Sequence, residues 1–317
     1  MRTLTNIEKI IPNVKQQHQV WRYYLNAWSF NGDKINCFDK EKNSSFITST
    51  ARVAKQQYAY EQPEFTQDEI EFIRLFISNI KNDSIRNASY EDLNIILFPA
   101  FLSSFAENNN LDSLHPDLDY VRKNYVEQVH GFWEEACKPI INKLREEDSD
   151  DCLPKNEDRY LFNYYLADQL FRTSKTTTLI KNLKNGADIQ TVKSPDGQRI
   201  FSVRSSAFCY ALSYQLVTTI AQMLTYESYN YHILKTCDIS VQFITSDQPI
   251  YFDNYGSDQL SETSPVRLYY PISPNICLCM NQEGIDSFEI VNNEVVQDIN
   301  SKTVRYSERF VFSNCTV

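Results

Sequence analysis

The chain holds only four histidines, and one of them, His18, stands where it could do chemistry. It opens an apparent helix, with Arg22 one turn later on the same side. An imidazole beside a guanidinium is the pairing of a general base with an anion-binding cation. Asp247 follows an apolar run and precedes Pro249, a place from which a carboxylate can hold a metal or activate water. Glu134 and Glu135 follow Trp133 in a long helical pattern, and only one of the two can face inward; Glu135 is the one assigned to the site. Gln169, Arg172 and Thr173 share one helix face, and Arg172 has the fork geometry that clamps a phosphate. Together these residues suggest a phosphodiester hydrolase, a nuclease acting on nucleic acid or a nucleotide. His18, Asp247 and Glu135 would be its catalytic groups, and Arg22, Gln169 and Arg172 its phosphate contacts. A divalent metal would sit on Asp247 and Glu135. Each residue also has a structural reading. His18 can cap its helix, and Asp247 can close an Asx turn. The glutamates can be solvated, and Arg172 can pair with Asp168 four residues earlier.

Composition narrows the chemistry. Six glycines in 317 residues leave little bare backbone to cradle a phosphate. Neither G-x-G-x-x-G nor G-x-x-x-x-G-K-[ST] occurs, so neither a dinucleotide fingerprint nor a P-loop is present. H-E-x-x-H and G-x-S-x-G are also missing. The net charge of −10 gives no global attraction for nucleic acid. Its distribution is uneven: residues 1–57 carry +5, residues 58–158 carry −13, and 172–204 carry +5 again. Two basic segments flanking an acidic body can present a cationic face to an anion, or be no more than solvated helix faces. Eight scattered cysteines without C-x-x-C or zinc spacing suit reduced, buried thiols in the cytoplasm. The longest apolar run, Ile95–Leu102, is far short of the ~20 residues that span a bilayer, and no secretory signal core opens the chain.

The elements expected to carry these residues fall into three zones. A short helix over 18–30 precedes strands at 34–39 and 46–50. Helices follow. Thr66 with Glu69 forms a capping box, Ser89 with Asp92 starts a second helix, and Asp117 starts a third that runs to about Arg145. The acidic run 146–155 joins an N-terminal half, 1–146, to a C-terminal half, 156–317, within a single domain. Helices are expected again at 158–183 and 205–234. Short strands are expected at 238–245, 266–271, 276–280, 288–291 and 294–296, and a closing helix at 298–310. Strands at both ends and long helices in the middle predict an α+β fold, with an N-terminal β-hairpin and a small C-terminal antiparallel sheet.

Five segments in order resemble a bacterial and phage family known as domain of unknown function 4238. They are Gln17-His18 running into Tyr24-Leu25, Gln57-Tyr58-Ala59-Tyr60, Gln169-Leu170-Phe171-Arg172-Thr173, Thr245-Ser246-Asp247-Gln248-Pro249 and Pro271-Ile272-Ser273-Pro274. The resemblance covers nearly the whole chain. It departs where the family commonly has Val-Pro and this chain has Val20-Trp21. It implies an intracellular effector or accessory protein of a prokaryotic defence or mobile-element locus, and it brings no activity with it. The alternative to an enzyme is a non-catalytic sensor or adaptor that binds a phage component or a protein partner from the same operon. Forty-two aromatic residues would supply its binding surface.

Overall fold

A computed structural model describes residues 11–146, 149–184, 189–194, 196–227, 229–253 and 267–314. In chain order the elements are β1 (Gln16–His18), α1 (Arg22–Leu25), β2 (Lys34–Asp39), β3 (Ser44–Ser49), β4 (Lys55–Gln57), α2 (Gln67–Ser78), α3 (Asp83–Asn108), α4 (His115–Glu146), α5 (Glu157–Phe171) and α6 (Ser174–Lys184). They continue with β5 (Ile189–Lys193), β6 (Ile200–Arg204), α7 (Ser205–Tyr226), β7 (Asn230–Thr236), β8 (Thr245–Ser246), β9 (Tyr251–Asp253), β10 (Arg267–Ser273), β11 (Ile276–Asn281), β12 (Ser287–Val291), α8 (Asn293–Tyr306) and β13 (Phe310–Ser313). The class is α+β, with strands at both ends of the chain and long helices between them.

The residues fall into two compact units, each built from three separated segments. One gathers the chain up to Gln17 with Gln56–Trp133 and Thr176–Ile220. The other gathers His18–Lys55, Glu134–Lys175 and the chain from Ala221 onward. The acidic run 146–155 belongs to the second unit. Its residues 147 and 148 lie outside the described residues. Its end turns as a short 3₁₀ helix, Asp150–Cys152, and buries Cys152 and Leu153 ahead of α5.

In the first unit α2 and α3 pack with the start of α7 around Ile70, Ile73, Ile77, Leu93, Ile96, Leu97 and Ala211. The capping box expected at the start of α2 is present. The Thr66 side chain receives the Glu69 N–H, and the Glu69 carboxylate receives the Thr66 N–H at 2.9 Å. Glu69 is 1% exposed because it also takes the Arg204 guanidinium, Nε at 2.7 Å, from β6. A local cap thus doubles as the joint between α2 and the β5–β6 hairpin. Helix α3 begins about two turns before the expected start, because Asn82 caps it by accepting the Ile85 N–H.

In the second unit a five-stranded sheet runs β12-β7-β11-β10-β9 and a four-stranded sheet runs β3-β2-β13-β8. The N-terminal β2–β3 hairpin is antiparallel as expected, and β13 joins it with Phe312 opposite Cys37. In the larger sheet β12 lies parallel to β7 while the other pairs are antiparallel. Tyrosines stitch this unit internally. Tyr24 Oη donates to the Pro271 carbonyl at 2.7 Å, Trp28 Nε1 donates to the Phe243 carbonyl at 2.9 Å, and Tyr165 and Tyr270 share a hydroxyl bond. Buried aromatic area and satisfied hydroxyls stabilise the core together. The seven described cysteines are free thiols, and five of them are buried.

Candidate functional site

His18 ends β1, which pairs with β4. Gln19 and Val20 both donate their N–H groups to the Ala54 carbonyl, at 2.7 and 3.4 Å. Ala54 holds a left-handed backbone, φ 48°, which is strained for alanine. Lys55 follows it at the start of β4.

The segment after His18 is held by α5. The Gln169 side chain donates Nε2–H to the Gln19 carbonyl at 2.8 Å and accepts the Trp21 N–H on Oε1 at 3.4 Å. The same oxygen accepts from Arg172 Nη2 at 3.0 Å. One buried amide thus fixes where His18 and Arg22 stand, and its oxygen is already used twice. Arg172 is itself buried, its side chain 2% exposed. Its Nη2 also donates to the Glu134 carboxylate, and Nη1 lies 3.7 Å from Asp168. A buried guanidinium between two carboxylates is a positioning group, since both acids need its charge.

The electrostatics centre on the imidazole. Burial, followed by the positive charges of Lys55, Arg22 and Arg172, pushes His18 from 6.5 down to about 4. At neutral pH the ring therefore carries no charge. Arg22 is exposed and Lys55 half-buried, and neither is ion-paired among the described residues.

The expected site residues therefore divide. His18, Arg22, Gln169 and Arg172 come together, with Gln169 and Arg172 serving as the frame. Glu135 and Asp247 have their partners elsewhere. Glu135 is exposed on α4, 3.2 Å from Lys138. The carboxylate at the site is Glu134. From Glu134, Cys137, Ile141 and Leu144 recur at intervals of three and four residues on the buried stripe, and Glu135 stands about 100° away from it. Asp247 is 5% exposed. Oδ1 accepts the Glu308 N–H at 2.9 Å, and Oδ2 accepts the Arg309 and Phe310 N–H groups, both at 2.8 Å. Burial raises its carboxyl above the usual range, against the pull of these three donors. Its geometry ties β8 to the start of β13. Asp247→Ala would strand three backbone donors. The expected loss is about 2–5 kcal/mol of stability, read from the midpoint of a urea transition; an unchanged midpoint would refute the tie. Among the described residues no group of three or more His, Cys, Asp or Glu side chains could hold a metal.

Lys55 is not legible in the sequence, because only strand pairing brings it beside His18. Glu134 is weighed there but not assigned to the site, although helix phase makes it legible.

A family model described as "Protein of unknown function (DUF4238)" matches residues 16–316. No curated protein and no solved structure matches the chain.

Proposed function

We propose that this chain, which belongs to the DUF4238 family, binds a phosphate-bearing ligand, a nucleotide or a nucleic-acid end, at the cationic rim around His18. It would do so as a cytoplasmic effector of a prokaryotic defence or mobile-element locus. The observation that carries the reading is the gathering of Lys55, Arg22 and Arg172 close enough for their charges to act on the His18 ring. Apart from burial, the field that repels a proton from the ring is the field that attracts an anion. Arg22 and Lys55 supply accessible charge-assisted donors, and the neutral ring adds a nitrogen able to take a proton.

Binding and protonation are linked. A phosphate beside His18 offsets the neighbouring cations and raises the affinity of the imidazole for a proton. A ring poised at about 4 is a weak base at neutral pH, and a bound phosphate moves it towards the range where proton transfer is efficient. Hydrolysis of a phosphodiester is thus the stronger form of the proposal: His18 would take a proton from the attacking water as its oxygen bonds to phosphorus, the bond to the leaving oxygen would break, and that oxygen would gain a proton from the imidazolium or from solvent. Asp247 and Glu135 have no part in this form.

The test compares one oligonucleotide carrying either a 5′-phosphate or a 5′-hydroxyl, titrated at several salt concentrations. Tighter binding of the phosphorylated form, weakening as salt rises, is the expected result. Equal binding of the two forms would sink the proposal.

One observation favours the second reading, a sensor that docks a protein partner. Phe98, Phe101 and Phe105 fall on one side of α3 and are 43, 40 and 61% exposed. Their replacement by serine should abolish capture of that partner without moving phosphate binding.

A further inference from the structure

The larger sheet of the second unit ends at β12, whose outer edge has no strand against it among the described residues. Exposed edges are normally blunted by lysine, proline or a bulge. The β12 sequence, Ser287-Phe288-Glu289-Ile290-Val291, has none of these. Ile290 is 70% exposed, and Ile285, just before the strand, is 78% exposed.

The two sides of this edge differ in chemistry. Ser287, His232, Cys279 and Tyr269 stand opposite one another in register across four strands, so they share a face. Glu289 lies two residues beyond Ser287 on the same face. That face opens into a groove of about 650 Å³ beside α8, floored by Tyr269 and Cys279. Four carboxylates line it (Glu283, Glu289, Glu294 and Asp298) against two cations, Arg267 and Lys302. Arg267 pairs with Glu283 and Lys302 with Asp298, at 3.2 and 2.8 Å. Glu289 and Glu294 have no lysine or arginine partner among the described residues. On the opposite face the edge shows Phe288 and Ile290.

We propose that β12 accepts an extended peptide as an added strand, one whose residues alternate between cationic and apolar. Backbone pairing to β12 supplies the common attraction, and the alternation supplies the choice of sequence. Cationic side chains fall beside Glu289 and the acidic groove, and apolar ones fall beside Ile290. Cross-strand neighbours of this kind lie close enough to select for charge and shape. The occupant is a peptide rather than a nucleic acid, because the groove is acidic.

The experiment uses the full chain and a fluorescent hexapeptide of alternating lysine and valine, with an alternating glutamate–valine hexapeptide as control. The lysine peptide should bind, the control should not, and the amides of Ser287–Val291 should gain protection from hydrogen exchange. Glu289→Lys and Ile290→Lys alter exposed side chains and should keep the melting temperature while weakening binding at least tenfold. Equal binding of both peptides, unchanged exchange at β12, or unchanged affinity in both variants would overturn the proposal. So would sedimentation showing that two copies associate through β12 and that Ile290→Lys separates them. Binding of phosphate at His18 is read separately, so either proposal can fail alone.

Discussion

Arg172→Ala is expected to lower stability by about 3–5 kcal/mol, the cost of removing one partner from a buried ion pair. Glu134 and Asp168, with side chains 15 and 5% exposed, would lose their cation. Gln169 would lose a donor at 3.0 Å and with it part of its hold on Gln19 and Trp21. Arg172→Lys should lose less, because it keeps the charge and gives up only the fork. The urea midpoint of the three proteins checks the order. An alanine variant within 1 kcal/mol of the parent would mean that the guanidinium frames nothing. With one of its three nearby cations gone, His18 should also titrate at higher pH in this variant.

Charge reversal at the rim should have the largest effect on binding. Arg22→Glu with Lys55→Glu removes two charge-assisted donors, each worth roughly 1.5–3 kcal/mol. That predicts a loss of affinity for a 5′-phosphorylated oligonucleotide of roughly 100- to 10,000-fold. Arg22 is exposed and Lys55 half-buried, so the melting temperature should move little. The dependence of binding on salt should also flatten, since fewer counterions are released. Unchanged affinity with an unchanged melting temperature would place the phosphate elsewhere.

Much of the scaffold was written in local pattern. The Thr66–Glu69 cap, the β2–β3 hairpin and the long amphipathic α4 follow from periodicity and cap chemistry. The misreadings arose where tertiary pairing overrides local preference. Asn230–Thr236 continues an apolar helical run in sequence, yet it folds as β7 because β11 and β12 pair with it on either side. The stretch 238–245 reads as a strand, but only Thr245–Ser246 pairs, with β13 from the far end of the chain. Asn292 caps α8 five residues before the expected start by accepting the Val295 N–H, which takes 294–296 into the helix. At the site, the pairing of Gln169 and Arg172 with the His18 segment was foreshadowed only by their recurrence in separate motifs. No spacing rule brings Lys55 to His18 across β1 and β4, nor three backbone donors from 308–310 to Asp247.

The central claim is that a half-buried imidazole with three cations around it marks an anion site. The sign of the linkage is fixed by the lowered basicity of His18. Between about pH 4 and 6.5 the unfolded chain binds the proton more tightly than the folded one, so this residue's contribution to stability is lost as pH falls through that window. The direct measurement is an NMR titration of the His18 ring, assigned with His18→Gln, in the free protein and with saturating 5′-phosphorylated oligonucleotide. The account predicts a midpoint of about 4 in the free protein and a clear upward shift with the phosphate bound. A midpoint of 6.5, the ordinary histidine value, unmoved by the oligonucleotide, would contradict it.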